Sequence, residues 1–191
     1  MSVIVGITGG IGSGKSVVSE VLRAMGHEVY DCDAEARRIM DTDTAIHSRL
    51  RSEISPEAVD DAGCINRKHI ASIVFADPSR LKALNTIVHG AVMADLRRRA
   101  AAVSGVMFFE SAILYSSGFC ALADKIWEVT APEELRIKRV MARNNVSRSE
   151  VTARMESQRS ETAPEGISPR ILINDGVAPL LPQIFLALDE L

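Results

Sequence analysis

A glycine-rich stretch near the N-terminus carries the clearest chemistry in this sequence. Residues 9–16 read Gly-Gly-Ile-Gly-Ser-Gly-Lys-Ser and match the pattern G-x-x-x-x-G-K-S. Glycine at four of the first six positions lets the backbone approach a phosphate group closely and turn its N–H groups towards it. Lys15 supplies a mobile positive charge for β- and γ-phosphates, and Ser16 supplies a hydroxyl that can bind Mg²⁺. The stretch therefore predicts a P-loop that binds a nucleotide.

The residues on either side of the loop favour this interpretation over an ordinary glycine-rich turn. Residues 3–8 form a short apolar run, which is typical of a buried parallel strand. Residues 17–25 carry apolar side chains at helical spacing, and Gly26 is placed to end that helix. A helix that begins beside the loop would point the positive end of its dipole at the bound phosphates.

The bulk composition indicates an ordinary globular protein of one domain with a small appendage. The chain has 191 residues, of which 47% are hydrophobic and 25% charged. Its net charge of −3 argues against a general nucleic-acid binder. Three scattered cysteines without C-x-x-C spacing predict neither a disulfide framework nor a zinc site. The N-terminal residues lack a targeting signal and no apolar run is long enough for a membrane span, so we expect a cytoplasmic protein.

Acidic residues end two of the predicted strands. A second strand over residues 27–33 ends in Asp31 and Asp33, and a third over residues 105–110 ends in Glu110. Since α/β sheets bind ligands at the carboxyl ends of their strands, Asp33 is a candidate catalytic acid or base. The alternative is that Asp33 merely caps a helix over residues 34–40, and the two roles are compatible.

A long helical segment follows the second strand. Three helices are expected within it, over residues 45–53, 67–75 and 79–102. The segment is too long for a simple crossover between two strands, so we interpret residues 42–103 as an inserted helical subdomain that helps to hold a second substrate. His89 lies on or near the apolar stripe of the last helix, where a structural histidine is the simpler interpretation.

The second half of the chain combines strands with a basic helical pair. A fourth strand is predicted over residues 125–130, and Pro132 suits the first position of a helix that ends near Arg143. Ser147 and Glu150 form a capping box that starts the next helix. Basic residues concentrate on this pair, although the protein is acidic overall: Arg136, Lys138, Arg139, Arg143, Arg148, Arg154 and Arg159. A solvated face is the alternative, but guanidinium groups match phosphate oxygens, so we predict a phosphate-clamping lid.

The alternation of strands and helices predicts an α/β protein with the three-layer fold of P-loop NTPases. A fifth strand over residues 170–174, a turn and a helix over residues 179–188 complete a mostly parallel five-stranded sheet. The expected parts are a core of residues 1–41, 104–135 and 169–191, the helical insertion of residues 42–103 and a lid of residues 136–168. Because the guanine-binding motif N-K-x-D is absent, a kinase for small molecules fits better than a GTPase.

Several further motifs are typical of one enzyme family. They are the full run Gly-Ile-Thr-Gly-Gly-Ile-Gly-Ser-Gly-Lys-Ser at residues 6–16, Asp31-Cys32-Asp33 followed by Ala36-Arg37, Val88-His89, the run from Arg139 to Arg143 with Arg154 and Gln158 downstream, and Asn174-Asp175-Gly176. On these motifs the chain resembles the dephospho-coenzyme A kinases over almost its whole length. Two departures are that Gly90 replaces the usual proline, and that the acid ending the family's P-L-L-F-E stretch is absent at Tyr115.

The resemblance implies a reaction and a set of site residues. The reaction would transfer the γ-phosphate of ATP, with Mg²⁺, to the 3′-hydroxyl of dephospho-coenzyme A. Asp33 would be the base, with Lys15 and Arg143 as the other catalytic residues. ATP would be bound by Gly10, Ile11, Gly12, Ser13, Gly14, Lys15, Ser16, Val17, Arg139, Arg143, Asn174 and Gly176. The acceptor would be bound by Thr8, Asp33, Arg37 and His89, and Mg²⁺ by Ser16.

Two other functions remain open on the sequence alone. A kinase for a nucleoside monophosphate or a sugar acid would share the P-loop and the lid, and a regulatory module would bind ATP without acceptor-dependent turnover. The partners expected under the preferred interpretation are ATP and dephospho-coenzyme A, with no nucleic acid and no membrane. The protein is expected to be a monomer or a small homo-oligomer.

Overall fold

The computed structural model describes residues 3–158 and 161–191 and is built around a parallel sheet. Its strands are β1 Val3–Thr8, β2 Glu28–Asp31, β3 Val106–Glu110, β4 Lys125–Thr130 and β5 Arg170–Ile173. They lie in the order β2-β3-β1-β4-β5, and every neighbouring pair is parallel. The predicted five-stranded sheet of an α/β fold is therefore confirmed, with the strand that leads into the P-loop at its centre.

The strands are buried because helices flank the sheet. Val5 and Ile7 of β1 and Phe108 of β3 have no exposed surface. Such continuous apolar runs are typical of parallel strands covered on both faces. They form one core with side chains from the helices α1 Lys15–Ala24 and α8 Leu180–Asp189. The core therefore fixes α1, and with it the end of the P-loop, against the centre of the sheet.

The remaining helical elements follow the predicted order. They are α2 Cys32–Thr42, α3 Thr44–Arg49, a π-helical turn Leu50–Ile54, a 3₁₀ turn Pro56–Ala58, α4 Arg67–Val74, α5 Pro78–Ala102, a 3₁₀ turn Phe119–Leu122, α6 Glu133–Asn144 and α7 Arg148–Glu156. The predicted helix over residues 45–53 is thus a short α-helix continued by a π-helical turn. Every helix in the described residues is too short or too polar to span a lipid bilayer.

The chain divides into two compact units. One comprises the described residues of 3–31 and 100–191 and contains the sheet. The other, Cys32–Arg99, is helical and buries its own apolar side chains, among them Leu50, Ile54 and Ile87. The finer division into core, insertion and lid stays a prediction.

The first residues of α7, α6 and α2 can be compared with the capping residues that the sequence predicts. Ser147 and Glu150 form the predicted capping box at α7. Pro132 lies at the N-cap of α6 and not at its first helical position, since its extended ψ of 141° delays the helix by one residue. The prediction that Asp33 caps α2 is wrong, because the helix begins at Cys32 and Asp33 lies inside its first turn. A carboxylate is favourable at either place, because both lie at the positive end of the helix dipole.

Candidate active site

The P-loop connects the end of β1 to the start of α1 through a backbone that only glycine tolerates well. Gly12 and Gly14 have φ angles of +79° and +102°, in the left-handed region that side chains disfavour. A Cβ atom on Gly12 would lie 2.6 Å from the Arg136 carbonyl oxygen, and one on Gly14 would overlap the Asn174 amide. The glycines are therefore required both by the turn and by neighbours that press against the loop.

Lys15 and Ser16 supply the cationic and hydroxyl groups at the end of the loop. Lys15 folds back along the loop, and its Nζ atom donates a hydrogen bond of 2.6 Å to the Gly9 carbonyl oxygen. Ser16 and Val17 are exposed at the start of α1. Ser13 is buried, and its N–H donates to the Gly10 carbonyl oxygen across the turn. The loop therefore presents a positive charge and a hydroxyl at the N-terminus of a helix, which is an arrangement that binds phosphate.

Asn174 connects the P-loop to the loop after β5. Its side-chain Nδ2 donates 2.8 Å to the Ser13 carbonyl oxygen, and its backbone N–H donates to the Thr130 carbonyl oxygen. Arg139 of α6 donates to the carbonyl oxygen of Asn174 at 3.0 Å and to its Oδ1 at 3.3 Å. The structure thus brings together three of the predicted ATP-binding positions: the P-loop, Arg139 and Asn174. Gly176 follows in a tight turn, with φ of +83°.

Arg136 of α6 and Gln158, which lies two residues after the end of α7, hold the backbone of Ile11 in the P-loop. Arg136 donates from Nε to the Ile11 carbonyl oxygen at 2.9 Å, and the Ile11 N–H donates to Gln158 Oε1 at 2.9 Å. The terminal nitrogens of Arg136 lie against Gly10, where an added Cβ would overlap Nη2 and lie 2.8 Å from Cζ. In the sequence, Arg136 is predicted only as a member of the basic cluster. Its spacing of three and seven residues from Arg139 and Arg143 nevertheless places all three on one helix face.

A cavity of about 240 Å³ lies beside the N-terminal half of the P-loop. Thr8, Gly9, Gly10, Tyr115, Glu128, Glu133, Arg136, Thr152, Met155, Glu156, Gln158 and Glu161 line it. The Tyr115 hydroxyl donates to Glu128 at 3.1 Å, and burial together with Glu128 raises the pKa of that hydroxyl. Glu161 accepts from the Tyr115 N–H at 3.1 Å, so an acid from a distant loop lies against the position where the family's own acid is absent.

A second pair of acids lies at the carboxyl ends of β2 and β3. Asp31 and Glu110 are partners in the sheet register, and Ser19 of α1 donates a hydrogen bond to the Glu110 carboxylate. Burial raises the pKa of Glu110, and the negative charge of Asp31 raises it further, whereas Arg23 and Lys15 lower it. Glu110 therefore belongs to the electrostatic surroundings of the P-loop lysine.

Whether a magnesium ion can bind beside the P-loop depends on the oxygen ligands that the protein offers there. Within residues 3–158 and 161–191, no group of three His, Cys, Asp or Glu side chains could hold a metal alone. Mg²⁺ bound with a nucleotide needs few protein ligands, since phosphate oxygens and water complete its octahedron. The exposed hydroxyl of Ser16, at the start of α1, is therefore a ligand that fits the ion when nucleotide phosphates are bound beside it.

The remaining arginines of the basic cluster differ in their surroundings. Arg143 is exposed in the last turn of α6, and its Nε atom donates 3.1 Å to Asn144 Oδ1. Arg148 forms a two-pronged ion pair with Glu134 between α7 and α6. The predicted member Arg159 lies outside the described residues. The cluster is thus not one uniform basic face, because only some members are placed against the P-loop.

The predicted acceptor residues belong mainly to the second unit. Asp33 and Arg37 are exposed on α2, one turn apart, and the side chain of Arg37 makes no hydrogen bond or ion pair with any described residue. His89 of α5 is half-buried, and burial lowers its pKa. Thr8 is buried at the end of β1, in the first unit. The roles of these four residues stay predictions.

Comparison with known proteins supports one family. The sequence model of the family described as dephospho-CoA kinase matches residues 3–179. A dephospho-CoA kinase of Bacteroides fragilis is 38% identical over 186 residues, which cover 96% of this chain and 90% of that protein. A dephospho-CoA kinase of Thermus thermophilus is 40% identical over 178 residues, which cover 91% of this chain and 84% of that protein.

Solved structures share the fold of this chain. The crystal structure of TT1252 from Thermus thermophilus has 36% sequence identity and a TM-score of 0.79, with 99% of this chain and 95% of that chain covered. A dephospho-CoA kinase from Campylobacter jejuni has a TM-score of 0.71 over 100% of this chain and 97% of the other. Its identity of 23% supports the fold alone.

Proposed function

The chain belongs to the dephospho-CoA kinase family, and from that premise we propose that it transfers the γ-phosphate of ATP to the 3′-hydroxyl of the dephospho-CoA ribose. The products are CoA and ADP. The observation that carries this choice of acceptor is the family match over residues 3–179. The P-loop geometry supports phosphoryl transfer itself, because its glycine backbone, Lys15 and the start of α1 form a phosphate site.

The first unit binds and orients ATP in this proposal. The N–H groups of residues 10–17 surround the phosphates, and Lys15 leaves the Gly9 carbonyl oxygen to neutralise charge on the β- and γ-phosphates. Asn174, which donates to the Ser13 carbonyl oxygen, and Arg139, which donates to Asn174, hold the loop in shape for the nucleotide, and Gly176 lies beside them. Arg143, exposed at the end of α6, reaches the transferring phosphate when the lid closes.

The magnesium ion would be held by Ser16 and by the nucleotide phosphates. When bound, it withdraws negative charge from the β- and γ-phosphate oxygens. Glu110, at the end of β3, accepts a hydrogen bond from the Ser19 hydroxyl of α1.

The second unit, with the predicted insertion of residues 42–103, binds the acceptor. Asp33 accepts the proton of the 3′-hydroxyl as its oxygen bonds to phosphorus, and Arg37 and His89 bind the acceptor. Arg37 suits this role because its guanidinium is exposed and makes no ion pair with a described residue, so it can bind an anionic group. A cytoplasmic location and a monomer or small homo-oligomer complete the proposal.

A coupled assay of ADP release, with and without dephospho-CoA, tests this function. We expect turnover that depends on dephospho-CoA and disappears in Lys15→Ala, while the melting temperature of that variant stays near the wild-type value. A panel containing a nucleoside monophosphate and a sugar acid separates the other kinase classes. If ADP is released with one of those compounds and not with dephospho-CoA, that compound is the acceptor and the proposed substrate is wrong. ATP binding without any turnover would favour a regulatory module.

A further inference from the structure

Arg136 is a half-buried cation without a matching anion. It lies in the first turn of α6, and burial lowers its pKa. Among the described residues its side chain makes one hydrogen bond, from Nε to the Ile11 carbonyl oxygen, and no ion pair. Removing a guanidinium from water without a counter-charge costs free energy. This cost is recovered if the two terminal nitrogens receive an anionic ligand.

The neighbours of those nitrogens indicate where the anion lies. Nη1 and Nη2 are packed against Gly10, since a Cβ atom there would lie 3.2 Å from Nη1 and overlap Nη2. Lys15, which reaches the β- and γ-phosphates in a P-loop, has its Nζ atom at the adjacent Gly9 carbonyl oxygen. The lysine and the terminal nitrogens of the arginine therefore lie at adjacent residues of the loop, Gly9 and Gly10.

The glutamates that line the cavity near the P-loop indicate the same position for the anion. Glu128 and Glu161 also line this cavity and accept hydrogen bonds from the Tyr115 hydroxyl and N–H. Glu133, one turn before Arg136, adds a weak attraction, and Glu156 adds a further carboxylate to the wall. These carboxylates repel an anion that lies among them, so the anion is favoured where the guanidinium meets Gly10 of the P-loop.

We propose that Arg136 is a built-in arginine finger, a catalytic residue whose terminal nitrogens bind the γ-phosphoryl group during its transfer. The inference rests on the proposed function, and it adds a residue that the family motifs in this chain do not include. The acceptor oxygen bonds to the γ-phosphorus as the bond from that phosphorus to the β–γ bridging oxygen breaks. The electron pair leaves with ADP, and the acceptor proton passes to Asp33. Arg136 neutralises charge on the equatorial oxygens throughout.

The hydrogen bond from Nε fixes the direction of the fork. It joins Arg136 to the Ile11 carbonyl oxygen, while Gln158 holds the N–H of the same residue. A lysine at this position would keep the charge but lose both the anchor and the second prong. The arrangement is therefore specific for arginine.

Two substitutions test the proposal by different routes. Arg136→Gln removes the charge, and Gly10→Ala displaces the guanidinium with a methyl group while the charge is kept. We expect each to lower kcat by roughly 10²–10³-fold, the usual loss when one donor to a developing charge is removed. The double variant should lose no more than either single variant, because both act on one contact. Arg97→Gln, which removes an exposed arginine of α5, is the matched control and should keep wild-type kcat.

A binding measurement separates a finger from a residue that only supports the loop. ADP with Mg²⁺ and aluminium fluoride mimics the transferring phosphoryl group, whereas ADP alone does not. Arg136→Gln should bind ADP like the wild type and melt at the same temperature, yet fail to trap aluminium fluoride. Equal losses of ADP and aluminium fluoride binding, or an unchanged kcat, would overturn the proposal. The trapping comparison requires no acceptor, so it is still decisive if the wild type proves inactive on dephospho-CoA, which would contradict the proposed function alone.

Discussion

Replacing Asn174 by alanine should loosen the P-loop, because the Asn174 side chain joins this loop to the loop after β5. The change removes the Nδ2 donor to the Ser13 carbonyl oxygen at 2.8 Å and the Oδ1 acceptor of Arg139 at 3.3 Å. The two backbone bonds of this residue, to Thr130 and from Arg139, remain. The variant therefore isolates the link between the loop after β5 and the phosphate site.

The expected loss of stability follows from the bonds that disappear. A hydrogen bond contributes about 0.5–1.5 kcal/mol net, and a carbonyl left without a partner costs about 1–3 kcal/mol when buried. Because this site is partly buried and the Arg139 contact is long, we expect a loss of about 2 kcal/mol. For a chain of this size that corresponds to a fall in melting temperature of roughly 4–8 °C.

Thermal melts and ATP binding by calorimetry measure the two effects. Asn174→Ala should melt earlier and bind ATP more weakly, since binding must then order the loop. Asn85→Ala removes the same amide from an exposed position on α5 and should stay within about 0.5 kcal/mol of the wild type. A variant that melts and binds ATP as the wild type does would refute the view that Asn174 shapes the P-loop.

Three further predictions concern charge. Asp33→Asn should lower kcat by roughly 10²–10⁴-fold with ATP affinity and melting temperature kept, and an unchanged kcat would exclude it as the base. Arg143→Ala should lose far more kcat than Arg148→Ala, which breaks only a surface pair with Glu134; equal losses would indicate a diffuse basic field. Because burial raises the pKa of Glu110 above its ordinary 4.5, the folded state binds that proton more tightly. Stability should therefore fall as pH rises from 4.5 through the folded pKa, and urea titrations of Glu110→Gln should lack this slope.

The sheet could be predicted well because its signals are local. The fourth strand is predicted over residues 125–130, and in the structure it is Lys125–Thr130. The prediction is accurate because an apolar run between turn residues defines the strand. The second strand was expected to reach Asp33, but it ends at Asp31 and α2 starts at once. An Asp-Cys-Asp run does not by itself distinguish the end of a strand from the first turn of a helix.

The site could be predicted only where chemistry is written in consecutive residues. The P-loop and the turn at Asn174 were recognised from such motifs. The contact of Glu161 with Tyr115 joins positions 46 residues apart, and the clamp of Arg136 on Ile11 joins positions 125 apart. These pairs depend on how α6 and the loops pack on the sheet, which spacing along the chain does not specify.

Transfer of the γ-phosphate of ATP to the 3′-hydroxyl of dephospho-CoA is tested most directly by following a labelled phosphate. The wild type is incubated with ATP labelled in its γ-phosphate and with dephospho-CoA, and the labelled product is mapped by phosphorus NMR and mass spectrometry. We predict that the label appears on the 3′-oxygen of the ribose and that 3′-deoxy-dephospho-CoA receives none. Label on another hydroxyl, label released only as free phosphate, or transfer to the 3′-deoxy compound would contradict the account.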